Sequence, residues 1–196
     1  MAGEGIIQRE NATNGGMMTW SEFFEWLMDH EGRVVHHDPD DPGGQTAWGI
    51  SRRHNPTWRG WRIVDEGGRD IGTAVSQFYY ATYQPLWEAL PPRVREATVD
   101  AVINMGPGRK GDDLMGGIEL LQESINRLRR DTILTVDGSF GPRTRAAVKT
   151  VDASALAFTV CALRLADYGL RGKQGKVARK YLDGWINRVR SLMEKI

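Results

Sequence analysis

A glutamate and the acidic loop that follows it are the residues of this sequence best suited to acid–base chemistry. Glu31 ends a segment in which the apolar residues Trp20, Phe24 and Leu27 recur at helical spacing. Apolar neighbours and the negative end of a helix dipole both disfavour an ionised carboxylate there. Such a carboxylic acid could hold its proton near neutral pH and act as a general acid. Position alone also allows an exposed glutamate at a frayed helix end.

Two aspartates in the loop after Glu31 are candidates for a second carboxylate. Asp40 and Asp41 precede a Pro-Gly-Gly turn, and Thr46 follows that turn at the start of a short extended segment. Either aspartate could instead cap the turn, because Asp readily bonds its own loop backbone. Thr46 could likewise be a strand residue selected for its β-branched side chain.

A cluster of potential ligands also raises the question of a metal site: His36, His37, Asp38, Asp40 and Asp41. The pair His30-Glu31 lacks the histidine three residues later that a helical zinc motif requires. A calcium loop would need a glutamate and would not contain Pro42. We therefore expect no metal.

The element that carries Glu31 begins at a capping box. Thr19 and Glu22 are spaced so that each side chain can bind a free backbone amide of the first turn. Apolar residues then follow the pattern of a buried helix face: Trp20, Phe23, Phe24, Leu27 and Met28. The sequence predicts a helix from about residue 20 to Glu31.

The rest of the chain predicts a mostly α protein with a minor β element. Between residues 32 and 72, turn-forming pairs separate short pieces with β character at 33–36, 47–51 and 61–64. Helical periodicity returns near Thr73, and the predicted helices include 94–104, 114–128, one that begins at Pro142, 153–168 and 175–194. The last of these has an apolar inner face: Val177, Tyr181, Trp185 and Leu192. The predicted fold class is α+β, a helical bundle with a small β lobe near the N-terminal third.

Composition excludes several classes of protein. The chain is 40% hydrophobic and 26% charged, which excludes disordered, collagen-like and coiled-coil proteins. Its longest uncharged apolar run, 153–163, is shorter than the roughly 20 residues of a membrane span, so we expect no membrane insertion. The first residues lack a basic region before an apolar stretch, so we expect synthesis in the cytoplasm without a signal peptide. The single cysteine, Cys161, excludes an internal disulfide.

Charge is unevenly distributed along the chain. Residues 1–105 contain 9 Lys and Arg against 15 Asp and Glu, a net charge of −6, whereas residues 106–196 contain 17 against 10, a net charge of +7. A basic half suits a polyanion such as nucleic acid, teichoic acid or the bacterial wall, although a solvated basic surface is equally consistent. No motif specifies a nucleic-acid recognition helix, so we expect no nucleic acid partner.

Five stretches resemble glycoside hydrolase family 108, a group of N-acetylmuramidases common among phage endolysins. Residues 31–50 resemble its Glu-Gly-Gly … Asp-Pro-Gly-Gly-x-Thr-x-x-Gly-Ile signature. The others follow in the family's order: Tyr79–Trp87, Asp100–Gly106, Leu121-Gln122 with Val136–Thr144, and Arg164 with Gly184–Val189. The resemblance covers about residues 19 to 192. It implies a lysozyme-like catalytic domain at 17–106 and a helical peptidoglycan-binding part at 107–196. Residues 1–16 are polar, rich in Gly and Asn and without a periodic pattern, so we expect them to form a flexible tail.

The same resemblance implies roles for the acidic residues. Glu31 would be the general acid that protonates the leaving glycosidic oxygen, and Thr46 would hold a water. Asp41 matches the family motif, whereas Asp40 has the spacing of the Glu/Asp/Thr triad of T-even phage lysozymes. The two alignments disagree because the loop carries one extra residue. We favour Asp41, because Pro-Gly-Gly fixes the turn that would present it. No cofactor is implied.

Four further residues are candidates for contact with substrate. Arg33, where the family has a second glycine, could favour the ionised form of Glu31 or point outward to the glycan. Trp48 could stack on a sugar, although most tryptophans in a domain of this size lie in the core. Asn104 could position the substrate or simply end its helix. Asp137 belongs to the segment that implies peptidoglycan docking.

The expected function is that of a monomeric, endolysin-like lysozyme whose partner is peptidoglycan. It would hydrolyse the β-1,4 bond between N-acetylmuramic acid and N-acetylglucosamine with Glu31 as acid. A lytic transglycosylase would use Glu31 without either aspartate, and a weakly active wall-binding or secretion-assisting protein would not depend on Glu31. The expected site of action is the cell wall, in the host periplasm or envelope, after holin-type release or another route of export.

Overall fold

The computed structural model describes residues 17–37, 44–108, 114–173 and 176–196. Within these ranges the chain forms eight helices and one three-stranded sheet, which confirms the predicted α+β class. The helices are α1 (Trp20–Glu31), α2 (Gly60–Asp65), α3 (Gly72–Ala89), α4 (Val94–Met105), α5 (Gly117–Arg129), α6 (Pro142–Val148), α7 (Ala153–Arg171) and α8 (Lys176–Met193). The strands are β1 (Val35–His37), β2 (Gln45–Ala47) and β3 (Ile50–Ser51). The predicted tail, 1–16, and the loop aspartates Asp40 and Asp41 lie outside the described residues.

Helix α1 begins at the predicted capping box. The Glu22 N–H donates to Thr19 Oγ1 at 3.2 Å, and the Thr19 N–H donates to the Glu22 carboxylate at 2.8 Å. Three residues of the predicted apolar face are fully buried: Phe23, Leu27 and Met28. Gly32 follows the helix with a φ of +77°, a conformation that favours glycine, and Glu31 is therefore the last helical residue.

The three strands form an antiparallel sheet in the order β1-β2-β3. Trp48 and Gly49 make the turn between β2 and β3, with φ of +48° and +79°. A type I′ hairpin turn requires positive φ at both residues, which costs about 1 kcal/mol or more at a residue other than glycine. The Trp48 N–H donates to Val34 O at 3.0 Å, and the Tyr79 hydroxyl donates to Trp48 O at 3.1 Å. The predicted extended piece 47–51 is thus a strand end, a turn and a second strand.

The prediction of an extended segment at 61–64 is wrong. These residues belong to helix α2, although Ile63 and Val64 are β-branched. The Trp61 ring is buried, packs edge-to-face on Trp58 at 5.0 Å, and its Nε1 donates to Asn55 O at 2.7 Å. Packing of the two indoles therefore overrides the local preference of the β-branched residues.

Two hydrophobic clusters meet at helix α8. The first joins α1, the sheet, α2 and α3 and includes Leu192; the second joins α4, α5 and α7 and includes Val189. The Trp26 Nε1 of α1 donates to Ser191 Oγ at 3.1 Å. Residues of α8 near the C-terminus are therefore packed against helix α1.

Helix α7 is long and apolar enough to cross a membrane, a criterion that buried helices of soluble proteins also satisfy. In this fold α7 packs against α4, α5 and α8. Its Arg164 side chain is fully buried and forms an ion pair with Asp100 of α4 at 2.5 Å. Among the described residues α7 is the one helix that meets this criterion.

We expect replacement of Thr19 by alanine to lower the free energy of unfolding by about 1 kcal/mol, because the hydroxyl that accepts the Glu22 N–H is lost. Thr19→Ser is the matched control, since it keeps the hydroxyl and should stay close to wild type. Urea denaturation followed by circular dichroism measures both. Equal losses in the two variants would contradict a capping role for Thr19.

Candidate active site

The Glu31 carboxyl lies between helix α8 and the β2–β3 turn. Its Oε1 accepts a hydrogen bond from Arg188 Nη1 at 2.6 Å, and the Glu31 side chain is 17% exposed. On the other side, a methyl group added at Gly49 would stand 2.6 Å from Glu31 Oε2. The acid is therefore enclosed on two sides but still accessible, unlike an exposed residue at a frayed helix end.

Behind Glu31 lies a buried row of alternating charges. Arg188 donates from Nε and Nη2 to Asp100 Oδ1, at 2.9 and 2.6 Å. The second oxygen of Asp100 accepts from Arg164 Nη1 at 2.5 Å. Asp100 and Arg164 are fully buried and Arg188 is nearly so. This charge row, Glu31–Arg188–Asp100–Arg164, joins α1, α8, α4 and α7.

The partners in the charge row stabilise one another's charged forms. Burial alone would raise the pKa of Asp100, but the guanidinium groups of Arg188 and Arg164 outweigh burial and hold that pKa below its ordinary value. Burial likewise opposes the charged form of Arg188, but the carboxylates of Asp100 and Glu31 outweigh it and raise its pKa. Arg188 and Asp100 are therefore ionised at physiological pH.

Two tyrosines of α3 are affected by the charge on Glu31. Burial, and then the negative charge of Glu31, raise the pKa of Tyr79 well above its ordinary value. The same two causes, in the same order, raise the pKa of Tyr83. Both hydroxyls therefore remain protonated, and that of Tyr79 donates to the carbonyl of Trp48 in the turn beside Glu31.

Asn104 lies at the far end of the charge row. Arg164 Nε donates to the Tyr168 hydroxyl at 2.7 Å, and that hydroxyl donates in turn to Asn104 Oδ1. Asn104 is the penultimate residue of α4. The side-chain oxygen of Asn104 thus accepts a hydrogen bond from a residue of α7.

The other candidates have distinct surroundings. The Thr46 side chain on β2 is buried, and its hydroxyl donates to Gly44 O at 3.3 Å. Trp48 is half-buried, whereas Trp58, Trp61 and Trp87 lie in the core. Arg33 donates to Glu25 at 2.6 Å, and its guanidinium lies 5.6 Å from the centre of the Trp48 ring. The Arg33 side chain therefore lies along the outer side of α1.

Asp137 organises the loop before α6. Its Oδ1 accepts from Gln122 Nε2 at 2.8 Å and from the Ser139 N–H at 2.9 Å. Gln122 Oε1 accepts in return from the N–H groups of Asp137 and Gly138, both at 3.0 Å. This loop is therefore fixed to α5. Within the described residues, no group of three or more His, Cys, Asp or Glu side chains is arranged to hold a metal ion.

Sequence reasoning assigned no role to Arg188, Asp100 or Arg164, which appeared only within stretches that resemble the family. The sequence does contain a sign that these residues are buried, since each occupies a position on an apolar helix face. Arg188 follows Tyr181 and Trp185 and precedes Leu192 at steps of 4, 3 and 4. A charged residue on a buried stripe requires a partner, but the pattern does not tell which one.

Two family models match consecutive parts of the chain. The one described as Glycosyl hydrolase 108 matches residues 24–106, which include Glu31 and the turn beside it. Residues 24–106 are thus similar to the glycosyl hydrolase 108 family. The second, described as Predicted Peptidoglycan domain, matches residues 116–190. A glycosidase region joined to a peptidoglycan domain supports the function of a peptidoglycan hydrolase.

A solved structure shares this fold. SagA from Brucella abortus is 25% identical and matches with a TM-score of 0.67, over 89% of this chain and 91% of the SagA chain. No curated protein matches the sequence. This chain and SagA therefore share the fold over nearly their whole lengths.

We expect Gly49→Ala to lower the free energy of unfolding by about 1–3 kcal/mol more than Gly67→Ala does. Both glycines have nearly the same positive φ, +79° and +78°, so the backbone cost is matched. Only at Gly49 would the new methyl group collide, with Glu31 Oε2 and with the Tyr79 hydroxyl, whereas nothing lies within 4 Å at Gly67. Urea denaturation of the two variants measures the difference, and equal losses would contradict the close approach at Gly49.

Proposed function

We propose that this protein is an N-acetylmuramidase that hydrolyses the β-1,4 bond between N-acetylmuramic acid and N-acetylglucosamine. The observation that carries the proposal is the position of Glu31. Its carboxyl ends α1 beside the sheet, is mostly shielded from solvent, and keeps Oε2 on the side of the β2–β3 turn. The peptidoglycan domain that follows supports the choice of substrate.

In this proposal Glu31 is the general acid. Its proton passes to the glycosidic oxygen while the bond from that oxygen to the anomeric carbon breaks, through an oxocarbenium-like state. A water oxygen then bonds to the anomeric carbon, and the proton that this water loses restores the acid form of the site. We assign the second carboxylate to Asp41, with Asp40 as the alternative, and the positioning of water to Thr46. The buried hydroxyl of Thr46, on the strand that leads into the turn beside Glu31, suits that role.

The side chains around the turn could contact the glycan. Trp48 is half-buried, with the Arg33 guanidinium near its ring, and together they could present an aromatic face and a cation to a sugar chain. Asn104 is held by Tyr168 and would act through the charge row rather than as a free amide. Asp137 would act by holding its loop in place.

We assign part of the wall contact to a cavity in the peptidoglycan domain. This wall cavity has a volume of about 530 Å³, and its lining includes hydroxyl and guanidinium groups: Arg127, Thr132, Thr135 and Arg143. Arg127 forms an ion pair with Glu123, whereas Arg143 is exposed. A guanidinium beside hydroxyls suits the carboxylates of peptidoglycan stem peptides.

We expect Glu31→Gln to reduce the clearing of purified peptidoglycan by about 100-fold or more, since the amide has no acidic proton to donate. Glu25→Gln, which changes an exposed glutamate of the same helix, should remain as active as wild type. Turbidity loss measures both rates. Clearing by Glu31→Gln at the wild-type rate would overturn the assignment of the acid.

Mass spectrometry of the digested glycan distinguishes hydrolysis from lytic transglycosylation. Hydrolysis leaves reducing muramic acid ends, because water supplies the new oxygen. In a transglycosylase the muramic 6-hydroxyl attacks instead, so the product carries anhydro-muramic ends and no water is added. We expect reducing ends, and anhydro ends would replace the proposed reaction with the alternative.

We expect Arg143→Glu to weaken binding to insoluble peptidoglycan roughly threefold to tenfold, because the cation at the wall cavity is replaced by an anion. Arg129→Glu makes the same change of charge at an exposed position outside the cavity lining, and it should bind more nearly like wild type. Co-sedimentation at low salt measures both affinities. Equal weakening would show that overall charge, and not the cavity, attracts the wall.

A further inference from the structure

The two family regions of this chain meet at the acid. Glu31 lies in the glycosyl hydrolase region, 24–106, and Arg188 lies in the peptidoglycan region, 116–190. They are 157 residues apart in sequence and 2.6 Å apart in space. A domain that only attached the enzyme to the wall would not need a guanidinium in contact with the acid.

We propose that Arg188 is a positioning residue for the glycosidase reaction, which fixes the orientation of the Glu31 carboxyl. The proposal rests on the function proposed above. It makes helix α8 of the peptidoglycan domain part of the catalytic centre, in addition to any contact of that domain with the wall.

The orientation of Arg188 is fixed independently of Glu31. Two of its nitrogens, Nε and Nη2, donate to one oxygen of the fully buried Asp100, and Asp100 is held in turn by Arg164. The Arg188 guanidinium also lies 6.0 Å from the centre of the Trp26 ring. These contacts leave Nη1 directed at Glu31 Oε1. A planar guanidinium can serve both carboxylates at once, which the single ammonium of a lysine cannot do with the same geometry.

Other groups around Glu31 do not replace the contact with Arg188. On α3, Tyr79 and Tyr83 are neutral hydroxyls, because burial and the charge of Glu31 raise their pKa values. The turn presents Gly49, which carries no charge. Within α1, Nδ1 of His30 is paired with Trp26 O, and beyond the helix end Arg33 is engaged by Glu25. Of the described residues, Arg188 is the one whose ion pair with Glu31 is within hydrogen-bond distance.

The expected effect on the rate follows from this contact. Removing the hydrogen bond must lower the rate of the chemical step, because the carboxyl loses its fixed orientation, whereas binding of the glycan should change little.

The test measures kcat and KM of the full chain on soluble peptidoglycan fragments with Arg188→Gln, Arg188→Lys and Arg190→Gln. We expect Arg188→Gln to lower kcat about tenfold or more with little change in KM. Arg188→Lys should recover part of that loss, since the positive charge remains. Arg190→Gln removes an exposed cation of the same helix and should match wild type.

A wild-type kcat in folded Arg188→Gln would overturn the proposal. If that variant does not fold, Arg188→Lys decides on soluble peptidoglycan fragments, where positioning predicts a lower kcat with little change in KM. A normal kcat with reduced thermal stability would show a purely structural role. Failure of the proposed function gives a different result, in which Glu31→Gln is fully active whatever the Arg188 variants do.

Discussion

Two carboxylates and two guanidinium groups alternate through the interior of this protein, from Glu31 through Arg188 and Asp100 to Arg164. Removing these groups from water is costly, and leaving one buried charge without its partner typically costs about 3–5 kcal/mol. The charge row therefore constrains four helices at once. Helices α1, α4, α7 and α8 must keep their relative positions for the charges to remain paired, and the position of the acid follows from the same constraint.

The β2–β3 turn completes the surroundings of Glu31 from the opposite side. It places a glycine where no side chain fits, and the Tyr79 hydroxyl holds the turn through the carbonyl of Trp48. The Glu31 carboxyl thus has one oxygen fixed by a cation and the other beside an uncharged turn. The small sheet and helix α8, far apart in sequence, therefore enclose the Glu31 carboxyl from opposite sides.

The features that were predicted correctly from the sequence are those that residues near one another in the chain determine. The capping box at Thr19, the end of α1 at Glu31 and the inner face of α8 at Leu192 all follow from short-range spacing, and the structure confirms them. Helix α2 was missed because the packing of Trp61 on Trp58, and not the β-branched residues of the helix, decides the conformation. The pairing of Glu31 with Arg188 could not be predicted, since no spacing rule connects residues 157 positions apart. The roles of Asp40, Asp41 and Thr46 remain predictions.

The most direct test of the account is a double-mutant cycle on the free energy of unfolding, with Glu31→Gln, Arg188→Gln and the double variant. If the two side chains form the buried pair described, removing both will cost less than the sum of the single changes, with a coupling energy of about 1–3 kcal/mol. Additive losses, with a coupling near zero, would contradict the claim that Arg188 and Glu31 act as one unit.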